Sequence, residues 1–218
     1  MLLKKYKPDI IFLQEIDMYT KRAYHKNQLY LFSKYTGLNY RAMGTNIKYK
    51  NGFYGDGILS KFPIEYSANY LSPLTNSAHE QRGILCNKVS FGNTKINVFS
   101  LHMSTFEDER LLTSKELLRI ISKINKNEPI VIGGDFNVGI KKIGNHKYLY
   151  EPKSEYKEYN ILKQKLKSID NSEDTWFSPE GSGCIDSFFY SKHLQLIKYE
   201  TIKTDISDHY PIYAEFRI

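Results

Sequence analysis

Cysteine is scarce in this chain of 218 residues, and long apolar runs are missing from it. The two cysteines, Cys86 and Cys184, form no CxxC pair, which argues against a disulfide framework or a zinc site. No uninterrupted apolar run approaches the roughly 18 residues that a membrane helix requires. The first residues, MLLKKYKPD, become charged too early for the apolar core of a signal peptide. We therefore expect a soluble, cytoplasmic protein without an integral membrane segment.

The chain also lacks internal repeats, low-complexity tracts and Pro- or Gly-rich linkers. Nothing in the sequence therefore marks a domain boundary. With 41% hydrophobic and 25% charged residues, the composition is that of an ordinary globular protein with one sizeable core. We expect a single domain over residues 1–218, and a monomer.

Charge of one sign is in excess, with a formal net charge of +7 and a pI near 9.1. Such a field attracts polyanions, for example nucleic acid or an anionic membrane surface. A Lys-rich composition is equally typical of a well-solvated surface. Charge alone therefore favours a nucleic-acid substrate only slightly.

Apolar and alternating runs predict seven strands, and the helical period of 3.6 residues is clearest in two segments. Strands that follow one another with few helices between them favour two packed sheets over a doubly wound parallel sheet. The predicted fold class is α+β, a two-sheet β-sandwich flanked by helices. The predicted strands are 9–14, 57–61, 84–89, 96–102, 130–133, 185–190 and 210–216, and the predicted helices are 28–35 and 107–124.

Residues 141–167 are rich in Lys, Tyr and Glu, and this composition predicts a long loop with one short helix. Loops on a rigid scaffold often carry substrate contacts. The tyrosines of this stretch are either base-stacking groups or partly packed residues of a solvated insertion. They are Tyr148, Tyr150, Tyr156 and Tyr159.

The sequence GGDFN, residues 133–137, follows the apolar run 129–132, which predicts a short buried strand. Asp135 and Asn137 leave this strand together, and the glycines let a ligand approach the backbone closely. Both side chains can then face one phosphate or metal ion. The alternative is a local turn in which Asp135 and Asn137 bond only the nearby backbone.

Four further strand ends carry polar groups suited to phosphate chemistry. Glu15 ends an apolar strand and offers a hard oxygen of the kind that Mg²⁺ prefers. His102 ends another strand, Asp186 begins an aromatic one, and Asp208–His209 precedes the last. Each of these strand ends alone is weak evidence for a site, because a turn residue or a hydrogen-bonded core histidine explains it equally well. Their recurrence along one chain indicates a phosphate or metal site.

The motifs LQE (13–15), GDGILSKFPI (55–64), EQRGIL (80–85), SLHMS (100–104), GGDFN (133–137), IDSFFYS (185–191) and SDHYPI (207–212) resemble the endonuclease/exonuclease/phosphatase superfamily. The resemblance spans almost the whole chain, and the motifs occur in the family's order. It implies the deoxyribonuclease-I-like fold, with four layers in the order αββα. It also implies hydrolysis of phosphodiester or phosphomonoester bonds with Mg²⁺ or Mn²⁺. Family substrates include DNA, RNA, protein–DNA adducts, inositol phosphates and sphingomyelin.

The resemblance further implies a role for each matching residue. Glu15 would bind the metal, with Asp208 as a further metal or water ligand. Asp135 would orient or deprotonate the attacking water. The remaining implied roles concern the phosphate: Asn137 holds it, His209 contacts it, Asp186 orients His209, His102 stabilises phosphoryl charge, and Arg82 contacts a phosphate or buttresses the site.

Family members usually begin with a strand that carries a catalytic Asn, followed by a helix, whereas this chain begins with what resembles that helix, residues 1–7. We therefore expect an N-terminally truncated domain.

The main hypothesis is a divalent-metal phosphodiesterase or nuclease. The alternatives are a weakly active or non-catalytic module that binds phosphate or nucleic acid, and a lipid or soluble-phosphoester hydrolase of the same family. For two further residues we expect no part in the chemistry. Asp56 is expected in a hairpin turn, and Arg110 is expected to have a structural role.

Overall fold

The computed structural model describes residues 2–142, 148–169 and 172–218, and the chain divides into two compact units, Met1–His102 and Met103–Ile218. Within the described residues, no helix combines the length and the apolar character needed to cross a membrane. The expectation of one domain over residues 1–218 stays a prediction.

Helices are few, and most of the regular structure is strand. The helices are α1 (Leu2–Tyr6), α2 (Gln28–Thr36), α3 (Glu107–Ile121) and α4 (Lys157–Lys163). The strands of the first unit are β1 (Ile10–Met18), β2 (Tyr40–Tyr49), β3 (Gly52–Ser60), β4 (Ile64–Leu71), β5 (Gly83–Phe91) and β6 (Thr94–His102). Those of the second unit are β7 (Ile130–Asp135), β8 (Ile140–Lys142), β9 (Tyr148–Tyr150), β10 (Lys167–Ser168), β11 (Trp176–Ser178), β12 (Gly181–Gly183), β13 (Asp186–Tyr190), β14 (Gln195–Thr201) and β15 (Ile212–Arg217).

The first unit packs two groups of antiparallel strands against each other. In one group β3 lies between β1 and β2, and in the other β5 lies between β4 and β6. Gln14 Nε2 donates to Ser100 Oγ at 3.0 Å and so connects β1 with β6. The apolar side chains between the strands include Ile58 and Ile84, both fully buried. Burial of such side chains is the main stabilising contribution to this unit.

Helix α2 shows how the sequence sets an element's limits. The Asn27 side chain accepts a hydrogen bond from Tyr30 N at 2.9 Å and caps the first turn. Gly37, with φ of 78°, ends the helix in the left-handed conformation that glycine adopts without strain. Leu29 is buried with Ile11, Ile16, Leu38 and Leu59, so the apolar face of α2 packs on β1 and β3.

In the second unit β13 lies between β7 and β10. Phe189 of β13 is fully buried, and its ring lies 4.9 Å from that of Tyr159 in α4 and 5.1 Å from that of Phe136. Helices α3 and α4 are joined by a buried ion pair in which Arg110 Nε donates to Glu158 Oε1 at 2.7 Å. The structural role expected for Arg110 is thus confirmed.

The one short helix predicted for the stretch 141–167 is present as α4, and the described part of the stretch is otherwise more regular than the predicted loop. It contains β9, α4 and the start of β10. Tyr156 is 7% and Tyr159 2% exposed, so the packed alternative holds for these two residues and base stacking does not. The side chains of Tyr148 and Tyr150 lie outside the described part of the structure.

Candidate active site

Asp135 and Asn137 lie together at the end of β7. Asp135 is 5% exposed, and its Oδ1 accepts a hydrogen bond from Asn137 N at 2.8 Å. Asn137 adopts a φ of 50°, and its Nδ2 donates to Met103 O at 2.9 Å and to Asp135 Oδ2 at 3.3 Å. Asp135 and Asn137 therefore do form a local turn with the nearby backbone. The same turn is compatible with a phosphate or metal site, because it fixes the direction of both side chains.

Asp186 lies directly opposite Asp135 across the β7–β13 pairing. Its Oδ2 is 2.8 Å from His209 Nδ1, a hydrogen-bonded contact between a carboxylate that is 11% exposed and an imidazole that is 31% exposed. The chain thus brings together, in the second unit, four of the side chains that the motifs single out: Asp135, Asn137, Asp186 and His209. Because Nδ1 faces Asp186, the Nε2–H of His209 is the group left to donate to a substrate oxygen.

The electrostatics of this cluster favour a charged His209. Burial lowers the pKa of His209, whereas the hydrogen bond to Asp186 and the charge of Asp186 raise it. The charges of Asp135 and Asp208 act in the same direction, and together they raise the pKa of His209 to about 9. At neutral pH the ring is therefore an imidazolium ion.

Thr175 forms hydrogen bonds to Asp186 and to Tyr210, the residue that follows His209. Its Oγ1 accepts from Ile185 N and from Asp186 N, each at 3.0 Å, and its carbonyl accepts from Tyr210 N at 2.6 Å. Thr175 is fully buried. It precedes Trp176, whose backbone forms a bridge with His209. No sequence pattern distinguishes this threonine from others in the chain.

Lys153 is a second residue that sequence reasoning missed. It is 8% exposed, and its Nζ donates to Asp186 O at 3.2 Å and to Ser187 Oγ at 3.3 Å. The backbone of Asp186 is thus bonded by side chains on both sides, by Thr175 at N–H and by Lys153 at C=O. In sequence Lys153 is one of many lysines, so its burial was not predictable.

Asp208 is exposed beside His209. Its Oδ1 accepts from Ser207 Oγ at 3.3 Å, and its carbonyl accepts from Phe177 N at 3.0 Å. The contact with Phe177 ties the 207–209 segment to β11. The carboxylate itself is open to solvent and to a ligand.

The first unit holds a separate polar cluster around Glu15. A bulge between Leu13 and Ile16 places Glu15 at a φ of 58°, with its side chain 61% exposed. Tyr54, which sequence reasoning missed, is 8% exposed and lies near enough to Glu15 to be affected by its charge. Burial and the charges of Glu15 and Glu80 raise the pKa of Tyr54, which keeps the hydroxyl as a donor.

Arg82 and His102 lie in the same cluster. Arg82 Nη1 donates to His102 Nδ1 at 2.9 Å and contacts Glu80 Oε1 at 2.7 Å. Since a guanidinium has no acceptor, His102 Nδ1 must accept, and the proton of the ring lies on Nε2. His102 Nδ1 is 3.9 Å from Glu15 Oε1. Three predicted residues of the first unit, Glu15, Arg82 and His102, are therefore neighbours.

Asp56 is not in a hairpin turn, so that expectation is wrong. It lies within β3, is 1% exposed and accepts a hydrogen bond from Asn46 Nδ2 at 2.9 Å. The Gly–Asp–Gly sequence resembles a turn, but these glycines serve close backbone packing. A Cβ at Gly55, for example, would collide with the carbonyl of Gly44.

Comparison with known proteins settles the family. The model of the Endonuclease/Exonuclease/phosphatase family matches residues 1–209. The chain belongs to this family. Family members are in general divalent-metal-dependent hydrolases that act on phosphoester bonds.

One sequence relative and two solved structures illustrate the similarity. Uncharacterized protein YbhP of Escherichia coli (strain K12) is 29% identical over 98 residues, which is 44% of this chain but only 38% of the length of YbhP. An endonuclease/exonuclease/phosphatase family protein from Leptotrichia buccalis C-1013-b has a TM-score of 0.70 at 18% identity, over 100% of this chain and 90% of that one. A D. rerio TDP2 humanized by 14 mutations has a TM-score of 0.70 at 20% identity, over 100% and 88%.

At these identities the structural likeness concerns the fold alone. It confirms the predicted two-sheet α+β class and deoxyribonuclease-I-like fold, whereas the family model confirms the family that the motifs resemble. The roles of individual residues stay predictions.

Proposed function

We propose that this protein is a divalent-metal-dependent phosphoesterase, and specifically a phosphodiesterase or nuclease that uses a water molecule activated by Asp135. The observation that carries the proposal is the 2.8 Å contact between His209 Nδ1 and Asp186 Oδ2, with Asp135 opposite Asp186 in the strand pairing. A cationic donor held by Asp186 of β13 and a carboxylate base on the adjoining β7 are the two groups that hydrolysis of a phosphoester requires.

Each group of the second unit has a distinct role in this proposal. Asp135 accepts a proton from the attacking water. His209 donates from Nε2 to a phosphoryl oxygen, while Asp186 fixes the ring and favours its cationic form. Asn137 Nδ2 helps to hold the reacting phosphate. Donors fixed in advance toward developing negative charge lower the barrier without reorganisation during the reaction.

The chemistry of the acidic side chains fits a hydrated metal ion. Among the described residues, no group of three or more His, Cys, Asp or Glu side chains is spaced to hold a metal. Mg²⁺ does not need such a group, because it keeps several waters and takes one or two carboxylates. Within the first unit Glu15 is assigned as a ligand of Mg²⁺ or Mn²⁺, and within the second unit Asp208 is assigned as a metal or water ligand. When bound, the ion supplies positive charge that stabilises phosphoryl oxygens.

In the first unit, His102 Nε2–H is the donor assigned to phosphoryl oxygen. Arg82 is 12% exposed and bonded to both His102 and Glu80, which supports a buttressing role more than a direct phosphate contact. Tyr54 is added to the predicted set as a buried neighbour of Glu15.

The proposal is tested by steady-state kinetics on bis-p-nitrophenyl phosphate and p-nitrophenyl phosphate. Asp135→Asn and His209→Gln should each lower kcat by roughly 10²- to 10⁴-fold, the usual contribution of a general acid or base. His193→Gln is the matched control, because His193 contacts Ser191 Oγ outside this cluster. Hydrolysis of the diester in preference to the monoester supports a phosphodiesterase, whereas preference for the monoester favours a phosphatase. Equal activity of all three variants would contradict the assigned roles.

The substrate of the chain, a monomeric state and a cytoplasmic location stay predictions.

A further inference from the structure

Backbone strain is concentrated in one segment of the first unit. Of the seven non-glycine residues with positive φ in the described chain, four lie between Glu15 and His25. Tyr24 and His25 are consecutive, with φ of 52° and 56°. Such conformations are costly for residues with a side chain, and they persist where surrounding structure enforces them, commonly at functional sites. Glu15 accounts for one of the four, whereas the other three have no role in the proposed chemistry.

The segment 19–26, here named the basic–aromatic loop, is a built structure. Tyr19 N donates to Lys26 O, and His25 N donates to Thr20 O, both at 2.9 Å. Thr20 is fully buried, and its Oγ1 accepts from Ala23 N at 3.3 Å. Gly52 of the neighbouring hairpin makes room for the loop, because a Cβ there would meet Met18 O and Thr20 N at 2.5 Å. The conformation is thus fixed from both sides.

The loop displays aromatic and cationic groups to solvent. Tyr24 is 84% and Tyr19 50% exposed, and Lys21 and Lys26 are exposed on either side of Tyr24. The loop sequence YTKRAYHK contains no acid. Exposure of a ring as large as that of Tyr24, on a strained and rigid loop, has no explanation in the packing of the fold.

Arg22 connects this loop with Tyr54. Its Nε donates to Asp17 Oδ2 at 2.7 Å, and its guanidinium carbon lies 4.9 Å from the ring centres of both Tyr49 and Tyr54. Burial and the nearby charge of Glu15 both raise the pKa of the Tyr54 hydroxyl. The Arg22 side chain remains 52% exposed, so it is available to an anion as well. The loop therefore contacts a tyrosine that lies within the electrostatic influence of the assigned metal ligand.

We propose that the basic–aromatic loop is a binding surface for single-stranded nucleic acid, in which the Tyr24 ring stacks on a base and Lys21, Arg22 and Lys26 contact phosphates. Aromatic rings among cations are the usual means of holding single strands without sequence selection. The inference rests on the proposed function in so far as it names the substrate class of that activity. A lipid surface fits less well, since the loop has no Leu, Ile, Val, Met or Phe with which to enter a bilayer.

Binding is measured by fluorescence anisotropy with labelled oligothymidylate and oligouridylate of about ten nucleotides, within the usual site size. EDTA is present so that no hydrolysis occurs. Tyr24→Ala should weaken binding by about 5- to 100-fold, the loss expected for one base–aromatic stack. Tyr24→Phe should bind like the wild type. The matched control is Tyr66→Ala, because Tyr66 is 51% exposed but follows Glu65 in β4. The two oligonucleotides distinguish DNA from RNA.

The phosphate contacts are tested through salt dependence. The double variant Lys21→Gln, Lys26→Gln should reduce the slope of log Kd against log salt by about 1.4, or about 0.7 for each lost contact. Vesicles of phosphatidylcholine with phosphatidylserine serve as the competing partner. Binding to vesicles that depends on Tyr24, with oligonucleotide binding that does not, would overturn the inference. Equal effects of Tyr24→Ala and Tyr66→Ala would do the same.

The outcome is independent of turnover. Nucleic-acid binding that depends on Tyr24, without hydrolysis by the wild type in Mg²⁺, would support the surface and contradict the proposed function. Hydrolysis of the oligonucleotide by the wild type, together with binding that does not depend on Tyr24, would support the proposed function and contradict the binding surface.

Discussion

His209 owes its charge to Asp186, and this dependence is measurable. We expect an NMR titration of the His209 ring in EDTA to give a pKa of about 9, against an ordinary value of 6.5. Asp186→Asn should move that pKa down toward 6.5, because it removes the largest favourable contribution to the cationic form. A wild-type pKa near 6.5 would contradict the assigned pair.

The sign of the corresponding stability effect follows from linkage. The folded-state pKa of His209 lies above its unfolded value, so the pair contributes stability that is fully present below about pH 6.5 and lost as pH rises through about 9. His209→Gln should abolish the part of the pH dependence of unfolding that lies in this window. Urea unfolding at several pH values provides the comparison.

Thr175 allows a clean test of buried hydrogen bonding. Thr175→Val keeps the shape of the side chain but leaves the N–H groups of Ile185 and Asp186 without their acceptor. We expect a loss of about 1–3 kcal/mol in the free energy of unfolding, whereas Thr175→Ser should retain most of the stability. Thr113→Val is the control, because Thr113 is 1% exposed and its Oγ1 has no partner among the described residues. Equal losses for both valine variants would show that the bonds of Thr175 do not matter.

At the scale of elements, a buried ion pair connects α3 with α4 and contributes to the stability of their packing. The side chains of Arg110 and Glu158 are 3% and 0% exposed. Glu158→Ala leaves a buried guanidinium without its carboxylate, and we expect a loss of about 3–5 kcal/mol in the free energy of unfolding. Asp9→Ala, which breaks the exposed pair with Lys61, should cost less than about 1 kcal/mol. Thermal unfolding of both variants gives the comparison. Equal losses of unfolding free energy in the two variants would show that burial of the Arg110–Glu158 pair makes no difference.

The elements that the sequence predicts are the ones with a one-sided or buried apolar pattern. Strands β1, β3, β5, β6, β7, β13 and β15 and helices α2 and α3 were all indicated. Strands β2, β4 and β14 were missed, because much of their length is exposed and they carry polar residues on both faces. Helix α3 ends at Ile121, before the predicted Ile124, since the chain turns at Ser122.

The residues of the candidate site also separate into those that the sequence predicts and those that it does not. Carboxylates and imidazoles at strand ends were predictable, because the end of an apolar run can be recognised in one dimension. Thr175 and Lys153 were not predictable, because their contribution is a hydrogen bond to a residue distant in sequence. Tyr54 was not predictable either, because only folding brings it near Glu15. Asp56 was misplaced, because glycines that permit close strand packing resemble glycines of a turn.

At the scale of the whole molecule, family membership over residues 1–209 and the net charge of +7 agree with a hydrolase of anionic phosphoesters. Charge acts at long range and raises the local concentration of such substrates. We expect any turnover of an oligonucleotide to fall as salt increases, while turnover of a small diester should change much less. Comparison of the two rates from low to physiological salt checks this expectation.

Metal-dependent turnover by the wild-type chain is the first property to measure, because the proposed phosphoesterase activity depends on it. The purified protein is assayed on bis-p-nitrophenyl phosphate and on a labelled single-stranded oligonucleotide, with Mg²⁺, with Mn²⁺ and with EDTA, beside Asp135→Asn. The account predicts hydrolysis that appears with the metal and disappears with EDTA and in the variant. Turnover that persists in EDTA, or a folded protein that hydrolyses neither substrate with either metal, would contradict it.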